Sequence, residues 1–190
     1  MLNHKGTVPL QTKHLLLRRF AEDDLESVYK NMTSDPEMTK YLAWDAHHSP
    51  DETEILLQKW VSGYTNPEFY RWAIVFDNEV IGSIHFPELS NKHSKCEIGY
   101  YIGSKWWGKG FTSEAAKEIA RYAFEDINAH KLKAWHHSDN IASGLVLQKL
   151  GMIIEGEFKQ EMILKDGTYS DIKEYGLLKD TWDHLIDNDH

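Results

Sequence analysis

The stretch Gly103-Ser-Lys-Trp-Trp-Gly-Lys-Gly-Phe-Thr-Ser-Glu-Ala-Ala joins a strand-like run to a helix-like run through glycines, which is the geometry of a phosphate-holding loop. Before it, Cys96 to Ile102 alternates and is rich in β-formers: Ile98, Tyr100, Tyr101 and Ile102. After it, Ala116, Ile119, Ala120 and Ala123 recur at helical spacing, and Glu114 falls in the first turn, where the helix dipole favours an acid. Amide groups at such a helix start have no intrahelical acceptor. Gly108 and Gly110 lack the Cβ that would keep a phosphate off the backbone. The segment predicts an anionic cofactor.

Two better-known glycine motifs fail residue by residue. A nucleoside-triphosphatase loop, G-x-x-x-x-G-K-[ST], would need a hydroxyl where Gly110 stands, and Trp106 and Trp107 are too bulky for a tight triphosphate nest. A dinucleotide fingerprint would need a third glycine at Ser113, and no βαβ unit opens the chain. A loop whose glycines serve only the turn is the alternative.

At 190 residues, 41% hydrophobic and 27% charged, the chain suits one globular domain, 1–190, with material for a substantial core. No run approaches the ~20 apolar residues that span a bilayer, and the N-terminus has no signal-like apolar stretch, so a cytoplasmic protein is expected. Cys96 is the only cysteine and reads as a small buried hydrophobe. A formal charge of −9 disfavours nucleic acid and acidic membrane as partners and suits cationic amines. The pairs His47/His48 and His136/His137 point their side chains apart on a strand or loop, and no H-x-x-x-H helix pair exists, so no metal site is expected.

Periodicity and turn signals predict the element order β, α, α, β, β, β, α, β, α, β, β. The strands are 14–20, 70–76, 79–87, 95–102, 132–137, 152–165 and 168–179. The helices start at Glu22, at Ser49 or Asp51, after Gly110 and at Ile141, and the last two strands turn at Asp166-Gly167. This implies an α+β, or α/β sandwich, fold with a mixed central sheet.

Taken together, Glu97-Ile-Gly-Tyr-Tyr-Ile-Gly, Trp107-Gly-Lys-Gly-Phe-Thr-Ser-Glu-Ala, Asn140-Ile-Ala-Ser and Leu150-Gly-Met resemble the GNAT superfamily of N-acetyltransferases. The likeness is to the branch that includes ribosomal-protein-alanine N-acetyltransferases, and it covers about residues 12–182. It implies a mostly antiparallel sheet splayed between its fourth and fifth strands, helices on both faces, and acetyl-CoA as cofactor. It also implies transfer of the acetyl group to a primary amine by direct attack in a ternary complex, most readily to a protein N-terminus. Acetylation of a small amine (polyamine, amino sugar or antibiotic) and a non-catalytic acyl-CoA-binding module are the alternatives. A homodimer is common among relatives.

By the same resemblance the cofactor lies against Tyr101, Ile102, Lys105, Trp107, Gly108, Lys109, Gly110, Phe111, Thr112, Asn140 and Ser143. The pantetheine arm would pair with backbone near Tyr101 and Ile102. Lys105 stands where members carry Gln or Arg, and supplies charge without the planar fork of arginine. Leu147 stands where many carry a catalytic tyrosine, so the acid role passes to Ser143 or to no residue. Glu97 is the expected base, acting through water, because it lies four residues before Tyr101. Trp44, Tyr70, Glu161, Tyr169 and Asp171 are the expected walls and anion partners of the acceptor.

Overall fold

A computed structural model gives the fold and describes residues 1–188. Among the described residues ten strands form two five-stranded sheets. The first runs β1 (Leu10–Gln11), β2 (Leu16–Arg18), β3 (Arg71–Phe76), β4 (Glu79–His85) and β7 (Gly99–Ile102), antiparallel throughout. The second is ordered β5 (Leu89–Ser90), β6 (Lys95–Glu97), β8 (Lys131–His137), β10 (Tyr169–Leu178), β9 (Ile153–Ile163). Only its β6–β8 pairing is parallel.

The run 95–102, read from sequence as one strand, is therefore two. Ile98 separates β6 from β7 and hands the chain from one sheet to the other. This is the splay that the family likeness implied.

Both faces of the first sheet are covered because β3 and β4 are apolar on both faces. Trp72, Ile74, Ile81 and Ile84 meet Ala115, Ala116, Ile119 and Ala120 of helix α4 (Phe111–Arg121). Small alanines let this helix lie close to the strands. On the other face Ala73, Val75 and Val80 pack on Val28, Met32, Leu57 and Trp60. These come from α1 (Leu25–Val28), the π-helical turn after it (Tyr29–Thr33) and α3 (Pro50–Gly63). A short α2 (Pro36–Thr39) precedes the loop to α3, and α5 (Ile141–Lys149) follows β8. A helix that the sequence reading did not foresee, α6 (Lys179–Asn188), closes the described chain, with Trp182 stacked on Phe124 at 5.7 Å. No helix among the described residues is long and apolar enough to cross a membrane.

Candidate active site

Strands β6 and β8 run side by side only as far as the pair Glu97 and Lys133, where the Ile98 amide donates to the Lys133 carbonyl at 2.8 Å. Beyond this vertex β7 follows β4 while β8 follows β10, and a wedge opens between them. Which backbone groups face the wedge follows from antiparallel alternation. The Gly103 amide donates to the Ile81 carbonyl at 2.9 Å, so Tyr101 and Gly99, in step with Gly103, turn their backbone toward β4. Tyr100 and Ile102 turn theirs toward the wedge. The geometry thus corrects the expectation for Tyr101, whose main chain is engaged with β4. The Ile102 carbonyl already accepts from Trp107 Nε1 at 2.9 Å, which leaves its amide.

At the wide end lies the glycine loop. A 3-10 turn, Ser104–Trp106, is pinned by Asp35, whose Oδ2 accepts the Ser104 amide at 2.7 Å while Oδ1 caps α2 through Glu37 and Met38. Gly108 and Gly110 have φ of +74° and +83°, a left-handed backbone that side-chain-bearing residues avoid, and no atom lies within 4 Å of where a Cβ would stand. Gly110 is the N-cap of α4, and the first intrahelical bond runs from the Glu114 amide to its carbonyl at 3.0 Å. The amides of Phe111, Thr112 and Ser113 therefore have no intrahelical acceptor, beside the open space at Gly108 and Gly110.

Glu114 does not crowd these amides, because its carboxylate is turned to Thr12 Oγ1 (2.6 Å) and the His14 amide (2.7 Å). Burial pulls its pKa up, but the hydrogen bonds from Thr12 and His14 outweigh this and hold it below the usual carboxylate range. The Phe111 ring packs on Phe76 at 4.5 Å and fixes the helix start, so only its amide is available to a ligand. Lys105 lies over the Trp106 indole at 4.8 Å, Lys109 is exposed, and Trp107 is half-exposed.

The far wall is the start of α5. Asn140 caps it, its Oδ1 accepting the Ser143 amide at 3.2 Å. Ser143 Oγ donates to the Tyr100 hydroxyl at 3.1 Å, and that hydroxyl donates to the Ser143 carbonyl at 2.9 Å. Tyr100 thus bridges the wedge from β7 to α5. Burial pushes its phenol far above the ordinary range, so it stays protonated. The sequence reading passed over it as one β-former among several. Its place one residue from Tyr101, on the opposite face of the strand, was the available signal. Leu147 is fully buried in the core.

A second group of side chains gathers on the Tyr101 face. Glu97 Oε1 accepts from Trp135 Nε1 at 3.1 Å. Burial, then the nearby Glu88, raise the Glu97 pKa. Trp135 meets His137 edge to face at 5.6 Å, and Tyr41 stacks on His137 at 5.8 Å. Trp44 meets Tyr101 at 6.3 Å, and His85 meets Tyr101 at 5.9 Å. The hairpin tip closes over this group, as Lys165 Nζ donates to the carbonyls of Thr39 (3.0 Å) and Trp44 (3.2 Å).

The other expected acceptor residues stand differently. Tyr70 is corrected to a core position on the opposite face, 2% exposed and stacked on Trp72. Asp171 is held within the hairpin by Lys159 Nζ (2.8 Å) and the Gln160 amide (2.9 Å). Glu161 and Tyr169 are exposed on the hairpin arms. Tyr41, His85, Trp135, His137 and Arg71, absent from the expected site, are brought in by strand order and a loop that periodicity does not resolve.

Comparison with known proteins agrees with this geometry. The family described as "Acetyltransferase (GNAT) domain" matches residues 14–153. The uncharacterized N-acetyltransferase YoaA of Bacillus subtilis (strain 168) is 31% identical over 172 residues, covering 90% of this chain and 96% of its own. The [ribosomal protein uS5]-alanine N-acetyltransferase of Escherichia coli (strain K12) is 34% identical over 122 residues, covering 64% of this chain and 50% of its own. Among solved structures, a GNAT-family acetyltransferase from Bacillus anthracis superposes with TM-score 0.79 at 27% identity, covering 91% and 99% of the two chains. RimL, the ribosomal L7/L12 α-N-protein acetyltransferase in complex with coenzyme A, superposes with TM-score 0.82 at 20% identity, covering 92% and 99%.

Proposed function

The chain belongs to the GNAT family and is an acetyl-CoA N-acetyltransferase; from that premise we propose that it acetylates an α-amine, such as a protein N-terminus, with the wedge as the reaction chamber. The carrying observation is the wedge itself. An anion-ready helix start opens at its wide end, and a half-buried carboxylate sits at its vertex.

The residues present fit the cofactor. The amides of residues 111–113 and the Cβ-free surface of Gly108 and Gly110 take the pyrophosphate, and the inward backbone of Tyr100 and Ile102 takes the pantetheine amides. Bound there, acetyl-CoA supplies an activated acyl carbon. A neutral amine entering past Trp44 and Tyr101 forms the C–N bond as the C–S bond breaks. Glu97, reached through water, accepts the amine proton and passes it to solvent through a cleft shared with Glu88 and Lys133. Its raised pKa makes it a stronger base than an ordinary carboxylate. The departing sulfur carries the negative charge, and Ser143, held at the wedge by Tyr100, turns its one hydroxyl proton from the Tyr100 oxygen to the sulfur and hydrogen-bonds it until it gains a proton.

An α-amine suits this chamber. At pH 7 a lysine amine of pKa ~10.4 is about 0.04% neutral and an α-amine near ~7.9 about 10%, a gap of roughly 3.4 kcal/mol that a single carboxylate does not make up. The likeness to a ribosomal-protein-alanine acetyltransferase supports the same reading. A homodimer would form along β9, whose outer edge is unpaired and exposes Ile153, Phe158 and Ile163.

The test is coenzyme-A release with alanine- and serine-ended peptides against a polyamine and aminoglycoside panel. The reading holds if peptides are acetylated on their α-amine. Exclusive turnover of polyamine or aminoglycoside, or acetyl-CoA binding without release, would overturn it.

A further inference from the structure

The acceptor wall contains an arginine that the chemistry above does not use. Arg71 opens β3 on the Tyr101 face, where Trp60 lies under its guanidinium at 4.8 Å. Nη1 spends its donors on Ser83 Oγ (3.1 Å) and the Tyr101 hydroxyl (2.9 Å). Nε is buried without a partner, and Nη2 makes no hydrogen bond among the described residues. Nε and Nη2 form the side-on edge of a guanidinium, the edge that pairs with both oxygens of a carboxylate.

No acid neutralises this group. Arg18 and Arg121 each bind carboxylates, to Asp24 and to Glu118 and Asp126, whereas no carboxylate of the described residues pairs with Arg71. Its cross-strand partner is His85, whose Nδ1 is likewise buried without a partner. Burial, then the charge of Arg71, hold that imidazole neutral, and no negative group acts against them. A half-buried cation whose Nε is hidden from water with neither acceptor nor counter-charge is costly, and costly arrangements persist where a ligand completes them.

The place is also right. His85 pairs with Gly99, the first residue of β7 past the vertex, and its ring lies where a Gly99 side chain would be, with Nε2 3.0 Å from a Cβ built there. Because Gly99 has no side chain, Tyr101 is the β7 side chain that adjoins the Arg71–His85 pair. Tyr101, which fixes Arg71, also meets Trp44 at the entrance.

We propose that Arg71 is the specificity-determining residue of the acceptor site, and that the acceptor carries a carboxylate within a few bonds of the reacting amine. This rests on the acetyltransferase reading above and narrows its substrate class. The carboxylate is either that of a free α-amino acid or an acidic side chain beside a peptide N-terminus. The net charge of −9 repels such a molecule at long range, but at contact distance the unpaired fork decides.

The test compares matched acceptors, L-alanine with L-alaninamide and the peptide amides Ala-Asp with Ala-Asn, with spermidine as a polycation. In at least one pair the acidic member is favoured in kcat/KM, expressed per neutral amine so that the two ammonium pKa values do not enter, by about tenfold or more, and that pair identifies the source of the carboxylate. Arg71→Gln brings the ratio toward one through KM, with acetyl-CoA affinity unchanged, and Arg71→Lys keeps part of the preference. Calorimetry of the N-acetylated compounds with the coenzyme-A complex gives the same comparison without turnover.

The proposal is overturned if the neutral member equals or exceeds the acidic one in both pairs and both readouts, or if Arg71→Gln leaves the ratio intact. Free turnover of neutral amines or spermidine sinks it while leaving the acetyltransferase standing. Failure to bind acetyl-CoA at all sinks both.

Discussion

Glu97 carries opposite consequences for stability and catalysis. Its folded pKa lies above its unfolded value because burial, then Glu88, disfavour the charge. The protonated form therefore stabilises the fold, and that contribution is lost as pH rises through the folded pKa. At neutral pH the ionised carboxylate is a net cost that only proton transfer justifies. Glu97→Gln is expected to keep the bond from Trp135, raise the unfolding temperature at pH 7 and lower kcat roughly 10²-fold, the small end of a general base's contribution. The deficit is fullest above the folded pKa of Glu97 and narrows at high pH as hydroxide takes over the proton. Below that pKa the parent's carboxyl is itself protonated and the two rates converge, while acetyl-CoA affinity stays unchanged. A pH–rate profile superimposable on that of the parent would remove Glu97 from the chemistry.

At the scale of elements, the glycine loop and α4 work only if Gly110 stays left-handed at the helix cap. A residue with a Cβ there is strained by about 1–2 kcal/mol even though the space around it is open, and relief of that strain redirects the first-turn amides. Gly110→Val is therefore expected to lower urea stability by about that amount and to weaken acetyl-CoA binding in calorimetry at least tenfold. Unchanged affinity would mean that the anion lies elsewhere. This loop was legible in the sequence because glycines, a β-run and an alanine stripe are local signals. So were the split sheet and the Asn140 cap, once the likeness was seen. The break at Ile98 was not, since an apolar residue between two sheets obeys the same alternation as one inside a single strand. Nor were Arg71 and His85, which lie 14 positions apart and meet only because β3 pairs with β4. Tyr70 failed for the converse reason: an aromatic at a strand start reads as a pocket wall until a second core appears behind it.

Across the whole molecule, burial of imidazoles near the wedge links the site to global stability. His136 and His137 are buried in β8. His136 bonds the His137 carbonyl and the Tyr175 hydroxyl, and His137 bonds Ser170. With His85 they have pKa values below the ordinary 6.5, chiefly through burial. For such a group the unfolded chain takes up a proton that the native chain refuses, so stability falls as pH drops through about 6.5 toward the folded pKa. Each histidine contributes at most about 1.4 kcal/mol per pH unit in that window, and three acting together remove a large part of a typical domain's stability. Glu97 acts with the opposite sign, but only as pH falls through its own folded pKa. Asp35, Glu114 and Asp126 lose their stabilising bonds only at still lower pH, because their folded values lie below the usual carboxylate range. Urea denaturation between pH 8 and 5.5 is thus expected to show a falling midpoint well before Asp35, Glu114 or Asp126 titrates. His136→Gln, which can keep a side-chain donor toward the His137 carbonyl, is expected to make that fall shallower. A midpoint flat over this range, or a slope indifferent to the substitution, would show that these imidazoles accept protons within the native fold and that the walls of the wedge yield to water.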